Sequence, residues 1–329
     1  MRTMRMAPVL AGAATMLVAS GAAASVLPDS EFTGSYTLTD DDFGTRVAVS
    51  VSGSTRTIET NSLPNHETGD FPNSGNPNTI TAQALTFEFP TDPSWTGDAL
   101  HARVSGVAIN GVSFEPDTAE TAVCASGETY HVEALQDLVD LGLDFNDAHV
   151  QPTGKYHYHG VPDSLVDAFE QDHDLVHIGF AADGHLIYYS MSGAYEPSYE
   201  LASGTRSGTG CVISGPGGGT AVDLGGTTPD GTYGSDWSYV AGLGDLDRCN
   251  GTTVEGEYVY LLTDSYPYVP RCLNGAFTEA GPGGPPNLGA DAPGLAPRAG
   301  AGGPGRDGEA RPVRGRPDDD RRPPRPRRP

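Results

Sequence analysis

The sequence predicts a mainly β protein: a single β-rich, sandwich-like domain with one or a few short helices, followed by a disordered C-terminal tail. Three observations carry that expectation. Apolar and polar residues alternate at period two in short runs, as at Leu85, Phe87 and Phe89, which places one face of an extended strand inward. The 44 glycines and 27 prolines of this 329-residue chain cut it into short pieces, each bounded by turn chemistry. One stretch alone, residues 129–143, carries apolar residues at the spacing of a long helix.

The elements follow in order. Arg2 and Arg5 precede an apolar run at residues 7–19 and the small residues Ala22, Ala23 and Ala24, so residues 1–24 read as a secretory signal peptide. The run is shorter than the roughly 20 residues of a membrane span. Export to the periplasm, the cell surface or the medium is therefore expected, without a transmembrane segment. Residues 25–275 form the expected domain. Tyr36 to Leu38 and Val47 to Val49 read as a first pair of strands, and the Asn-, Pro- and Gly-rich residues 61–78 as an ordered loop. Residues 84–89 and 102–109 read as strands. Val132, Leu135, Leu138 and Val139 place a helix over residues 129–143. Residues 156–159 read as a strand, and residues 175–182 and 185–190 as a hairpin turning on Asp183-Gly184. A Gly-rich loop is expected at 215–234. Residues 257–263, with a short return to Cys272, make the last hairpin. Residues 276–329 are Gly, Pro, Ala and Arg with almost no large apolar side chains, a composition that cannot offset the entropy of ordering.

Charge narrows the partners. The formal net charge is −24, and the tail hides how acidic the domain is: residues 25–275 hold 36 acidic and seven basic side chains, a net of −29. From Arg298 onward ten arginines face five acidic residues, and Lys155 is the only lysine in the chain. Such a surface repels nucleic acid and favours cations, or a cell-surface or basic partner; the competing interpretation is solubility in a salty or acidic medium. Four cysteines in an exported chain point to disulfides. Of the three possible pairings, Cys249 with Cys272 across the last hairpin is favoured, which leaves Cys124 with Cys211.

The chemistry concentrates at Tyr156-His157-Tyr158-His159. On a strand, His157 and His159 share one face and the tyrosines take the other. Two imidazoles about 6 to 7 Å apart at Cα can share one metal ion. His149 lies upstream across a turn-like stretch: a three-residue loop would set it opposite His157 on the same face, whereas a two-residue loop would pair it with Tyr158. Asp147 and Asp144 add oxygen donors, as ligands or as partners that orient a ligand imidazole. His177, on the next predicted strand, is a further candidate; His131 and His185 are weaker ones. The competing interpretation is a half-buried sheet in which these rings only pack and hydrogen-bond. Other chemistries lack their residues. There is no Gly-x-Ser-x-Gly elbow, the Gly215–Gly219 run has no following Lys-Ser or Lys-Thr, and Asp245, Asp247 and Asn250 lack EF-hand spacing.

The run from Ala148 through His149, Lys155 and Tyr156-His157-Tyr158-His159 to Gly160 resembles the signature of the YHYH domain family. Leu63-Pro64-Asn65-His66, Phe71-Pro72-Asn73, Asn76-Pro77-Asn78, the segments 106–112 and 178–184, and Pro267 to Cys272 also agree with that family's pattern. The resemblance spans residues 56–275 and implies an exported protein; it implies no established activity. Members commonly carry a bulky apolar residue and proline after the Asp-Gly turn, where this chain has His185-Leu186, so His185 takes no role from the resemblance. The resulting expectation is a divalent metal ion, copper or zinc, held by His157 and His159 with His149 or His177 as third ligand. An open position would permit metal-assisted hydrolysis or oxidation, with Tyr156 or Tyr158 as proton donor. The rival classes are a metal-free cell-surface adhesion or scaffold module, and a hydrolase built on carboxylates such as Asp144 and Asp147.

Overall fold

The computed structural model describes residue 27 and residues 30–170, 173–214 and 219–278. The expected signal peptide, and the expected tail from residue 279 onward, lie outside the described residues. The architecture is mainly β. Strands β1 (Tyr36–Asp40), β2 (Thr45–Ser52), β3 (Thr55–Thr60) and β4 (Leu85–Pro90) pair antiparallel in sequence order as a four-stranded sheet. Their alternation decides which face goes inward: Val47, Val49, Ile58, Phe87 and Phe89 are buried while their neighbours are not. β5 (Trp95–His101) follows, then β6 (Gly106–Ala108), β7 (Ser113–Phe114), β8 (Thr121–Cys124), β9 (Thr129–His131), β10 (Ala148–Val150) and β11 (Tyr156–Tyr158). The single α-helix among the described residues, α1 (Asp163–Phe169), buries Leu165 and Val166. After it come β12 (Leu175–Ala181), β13 (Leu186–Ser190), β14 (Tyr199–Leu201), β15 (Cys211–Ser214), β16 (Ala221–Val222), β17 (Trp237–Tyr239), β18 (Gly251–Val254), β19 (Glu257–Leu262) and β20 (Cys272–Gly275).

Eight strands form the central sheet in the order β10-β11-β7-β6-β12-β13-β19-β18. Its buried side chains, Val107, Phe114, Tyr158 and Phe180 among them, join those of the first sheet in one apolar core. A second core gathers Ala122, Tyr130, Val132, Ile213 and Tyr233 around the sheet β16-β15-β8-β9. The disulfide Cys124–Cys211 joins residues directly opposite in the β8–β15 pair, and Cys249–Cys272 ties the start of β20 to the loop before β18. Both pairings are those favoured from the sequence.

Several expectations need correction. No helix forms at residues 129–143. Thr129–His131 instead pairs with β8, because Tyr130 and Val132 belong to the second core. Beyond it, side chains take the backbone's hydrogen bonds: the Gln136 carbonyl accepts from Leu138 N at 2.6 Å and Val139 N at 2.9 Å, and Asp140 from Gly142 N at 3.0 Å. Local acceptors of this kind compete with a helical ladder. The strand expected at 102–109 is only β6, with β5 formed just upstream. β19 pairs with β18 before it, not with the return to Cys272, and β20 pairs with β5. The β12–β13 turn encloses three residues, since Ala181 N donates to the His185 carbonyl. Gly184 there has φ +96°, and a Cβ on it would sit 2.3 Å from the Pro90 carbonyl oxygen.

Candidate metal centre

The β10–β11 hairpin builds the site. Gln151 N donates to the Lys155 carbonyl at 2.9 Å, which leaves a three-residue loop at 152–154. Gly154 closes it at φ +84°, where a Cβ would lie 2.0 Å from Thr81 Oγ1. That loop length sets the register: His149 stands opposite His157, Ala148 opposite Tyr158 and Val150 opposite Tyr156. The side-chain period of two then brings His149, His157 and His159 to one face. Asp147, at φ +53°, fixes the next turn, and its carbonyl accepts from His159 N at 2.8 Å.

The three imidazoles form a nearly equilateral triangle. Ring centroids are 4.7 Å apart for His149–His157, 4.8 Å for His149–His159 and 4.7 Å for His157–His159, and one donor nitrogen from each ring lies within 4.8 Å of the others. His149 Nδ1 is 2.9 Å from the Leu141 carbonyl oxygen, so it carries the proton and leaves the Nε2 lone pair free. That Nε2 is 3.1 Å from His159 Nε2. Two nitrogens on one tetrahedral zinc would be about 3.3 Å apart, given bonds of about 2.0 to 2.1 Å. In the absence of a cation, His159 must place its proton on Nε2 to bond His149. Among the described residues its Nδ1 is then buried with no donor to satisfy it.

Burial is the main electrostatic fact. It lowers the pKa of all three imidazoles, His157 and His159 most strongly. Mutual repulsion adds to the effect: His149 and then Lys155 act on His157, and His157 and then His149 act on His159. The rings are neutral at pH 7, the form that ligates metal. Parallel pairing of β7 with β11 sets Ser113 beside His157 and brings Glu115 onto the same face. The Glu115 carboxylate accepts from Ser113 Oγ at 2.8 Å and Gln151 Nε2 at 2.6 Å, and pairs with Lys155.

The other sequence candidates lie outside this triangle. His177 is buried with both ring nitrogens occupied, Nδ1 by Ser30 Oγ at 2.7 Å and Nε2 by the Gly179 carbonyl at 3.0 Å. Burial pushes its pKa down to about 3. Asp147 packs its carboxylate against Gly160, and Asp144 accepts from Tyr156 Oη at 2.7 Å and Gly69 N at 3.0 Å. His131 is exposed on β9, and His185 Nδ1 donates to the Tyr258 carbonyl at 3.0 Å. The phenols of Tyr156 and Tyr158 point to the opposite face, so neither is placed to donate a proton at the triad. Tyr158 Oη donates to His66 Nε2 at 2.7 Å and accepts from Asn110 Nδ2 at 2.9 Å. Sequence reasoning gave no role to Glu115 or the Leu141 carbonyl, which only tertiary pairing delivers. Lys155 carried a signal: it is the one lysine, two positions before His157.

A family model described as YHYH protein matches residues 86–275, more than half of the chain. No curated protein and no solved structure matches.

Proposed function

The chain belongs to the YHYH protein family, and from that premise we propose an exported protein that holds one divalent transition-metal ion on His149, His157 and His159. The convergence of three neutral imidazoles within 4.8 Å carries the reading. Three imidazoles with a further position left open are a donor set of catalytic zinc, and imidazole also suits cupric ion. All four cysteines are in disulfides, so no thiolate favours cuprous ion. When bound, the metal would supply Lewis-acid chemistry. The protein's part is to aim and desolvate the ligands: the Leu141 carbonyl fixes the His149 tautomer, and the sheet buries His157 and His159. Two disulfides support an oxidising, extracytoplasmic location; no helix among the described residues is long and apolar enough to cross a membrane.

The test is elemental analysis of the exported chain purified without a histidine tag, beside a His157→Ala, His159→Ala variant. About one equivalent of zinc or copper in the wild type, lost from a variant that keeps its circular dichroism, supports the reading. A wild type that takes up no metal after reconstitution overturns it. The metal-free adhesion or scaffold role would then stand in its place.

A further inference from the structure

The face that carries the triad continues past it as a polar surface. Phe114 stands opposite Tyr158 in the parallel β7–β11 pair, and the two rings lie 5.6 Å apart on the tyrosine face. The residues on either side of Phe114, Ser113 and Glu115, therefore share the histidine face. Glu115 N donates to the Tyr158 carbonyl at 2.9 Å, which sets Glu115 alongside His159, two places beyond the Ser113–His157 pair. Gln151, two places after His149, and Lys155, two places before His157, take the same face. Lys155 also meets the triad directly: its carbonyl oxygen is 3.5 Å from His157 Nδ1.

The Glu115 carboxylate is clamped by Ser113 on β7 and by the residues that flank the β10–β11 loop. Oε1 accepts from Ser113 Oγ and Lys155 Nζ, and Oε2 from Gln151 Nε2. An ionised carboxylate has about four acceptor sites, so one is left, on Oε2. Glu115 is only 8% exposed, and a buried acceptor with an open site calls for a donor. The donors that converge within 4.8 Å among the described residues are the three imidazoles, so the carboxylate stands beside the triad rather than in it. It can only accept a hydrogen bond, and the proton must come with the ligand.

We propose that Glu115 is the specificity-determining residue of the centre, and that its remaining acceptor site receives the O–H of a ligand seated where the three imidazoles leave a position open. The centre therefore takes small oxygen ligands that carry a proton, water and monoprotonated oxyanions among them, in preference to anions that carry none. A site built to hydrogen-bond a hydroxyl rejects the analogue that lacks it, because the buried acceptor is then left unpaired. Ser113, Gln151 and Lys155 hold the carboxylate in place. This rests on the metal reading and adds to it the class of ligand.

Bicarbonate and nitrate are matched probes: both are planar, singly charged oxyanions, and bicarbonate alone has an O–H. The full exported chain, as wild type, Glu115→Gln and Glu115→Asp, is loaded with cobalt(II), whose visible absorption reports a change of ligand, and titrated with each anion. The wild type should favour bicarbonate, and the ratio of the two affinities should fall about tenfold in Glu115→Gln, the effect of losing a hydrogen bond to a charged group. Glu115→Asp keeps the charge and draws the carboxylate back by one methylene; its ratio should fall at least about threefold. A wild type that binds nitrate as tightly as bicarbonate overturns the inference. So does a ratio within about twofold of wild type in either variant: in Glu115→Gln it removes the residue from ligand choice, and in Glu115→Asp it assigns the effect to charge alone. If one variant does not fold, the other decides. A chain that takes up neither cobalt(II) nor zinc(II) brings down the metal reading itself, a result distinct from an unchanged ratio on a loaded chain.

Discussion

The two faces of β11 differ in how completely their polar atoms are used. On the tyrosine face, Tyr156 Oη is taken by Asp144, and Tyr158 Oη by His66 and Asn110; His66 Nδ1 in turn donates to the Glu67 carbonyl at 2.9 Å. On the histidine face, one backbone carbonyl fixes His149, His159 Nδ1 has no partner among the described residues, and two Nε2 atoms confront one another at 3.1 Å. The same three-residue strand thus carries a closed network on one side and an open donor set on the other. His177 sharpens the contrast: it is buried like His157 and His159, yet both its nitrogens are occupied. Burial of histidine alone is structural; burial with free, convergent lone pairs points to a ligand.

Substitutions on the two faces should therefore separate metal binding from stability. The largest effect belongs to His149→Ala. It should lower zinc affinity by more than about a hundredfold, beyond what loss of a second-shell group costs, while His177→Ala leaves affinity unchanged. Chelator competition on the two variants would measure both. Equal losses would erase the distinction between the histidines.

Acid is the next lever. Burial holds His66, His149, His157, His159 and His177 below the ordinary histidine pKa, whereas in the unfolded chain they titrate near 6.5. Below about pH 6.5 the unfolded state therefore binds more protons than the folded one, and stability falls as pH falls. Each such histidine contributes about 1.4 kcal/mol per pH unit until its folded pKa is reached, about 3 for His177. Urea unfolding of metal-free protein at pH 7 and pH 5 should show the loss, and zinc-loaded protein should release its metal over the same range. A flat profile would mean the imidazoles are not held neutral.

The smallest effect is expected from Tyr158→Phe, which leaves His66 Nε2 and Asn110 Nδ2 with a lost partner. It should cost about 1–3 kcal/mol in urea unfolding with zinc affinity within about twofold, since its phenol faces away from the triad. A large loss of metal binding would show that the two faces are coupled through the strand.

Legibility followed the range of the interactions. The first pair of strands was readable because their alternation is local, and residues 183–184 announced their turn through Asp-Gly. His157 and His159 were readable as one-face partners from spacing alone, and His149 was conditional on loop length, which Gly154 decides. The region 129–143 misled because its apolar spacing is genuine. Tyr130 and Val132 serve a sheet-packed core, and Gln136 and Asp140 hold the rest as turns. Glu115 was not readable, since the parallel β7–β11 pairing brings it to the histidine face.

By itself the sequence determined the β character, the acidic charge and the two-residue spacing that aligns His157 with His159. These depend on residue type and on the strand period, which act within a few positions. Only the tertiary structure decided that His149 rather than His177 joins them and that the tyrosines are fully bonded behind the strand. Those outcomes depend on register, sheet order and which buried atoms find partners, and such long-range pairings are set by the whole core rather than by any one segment.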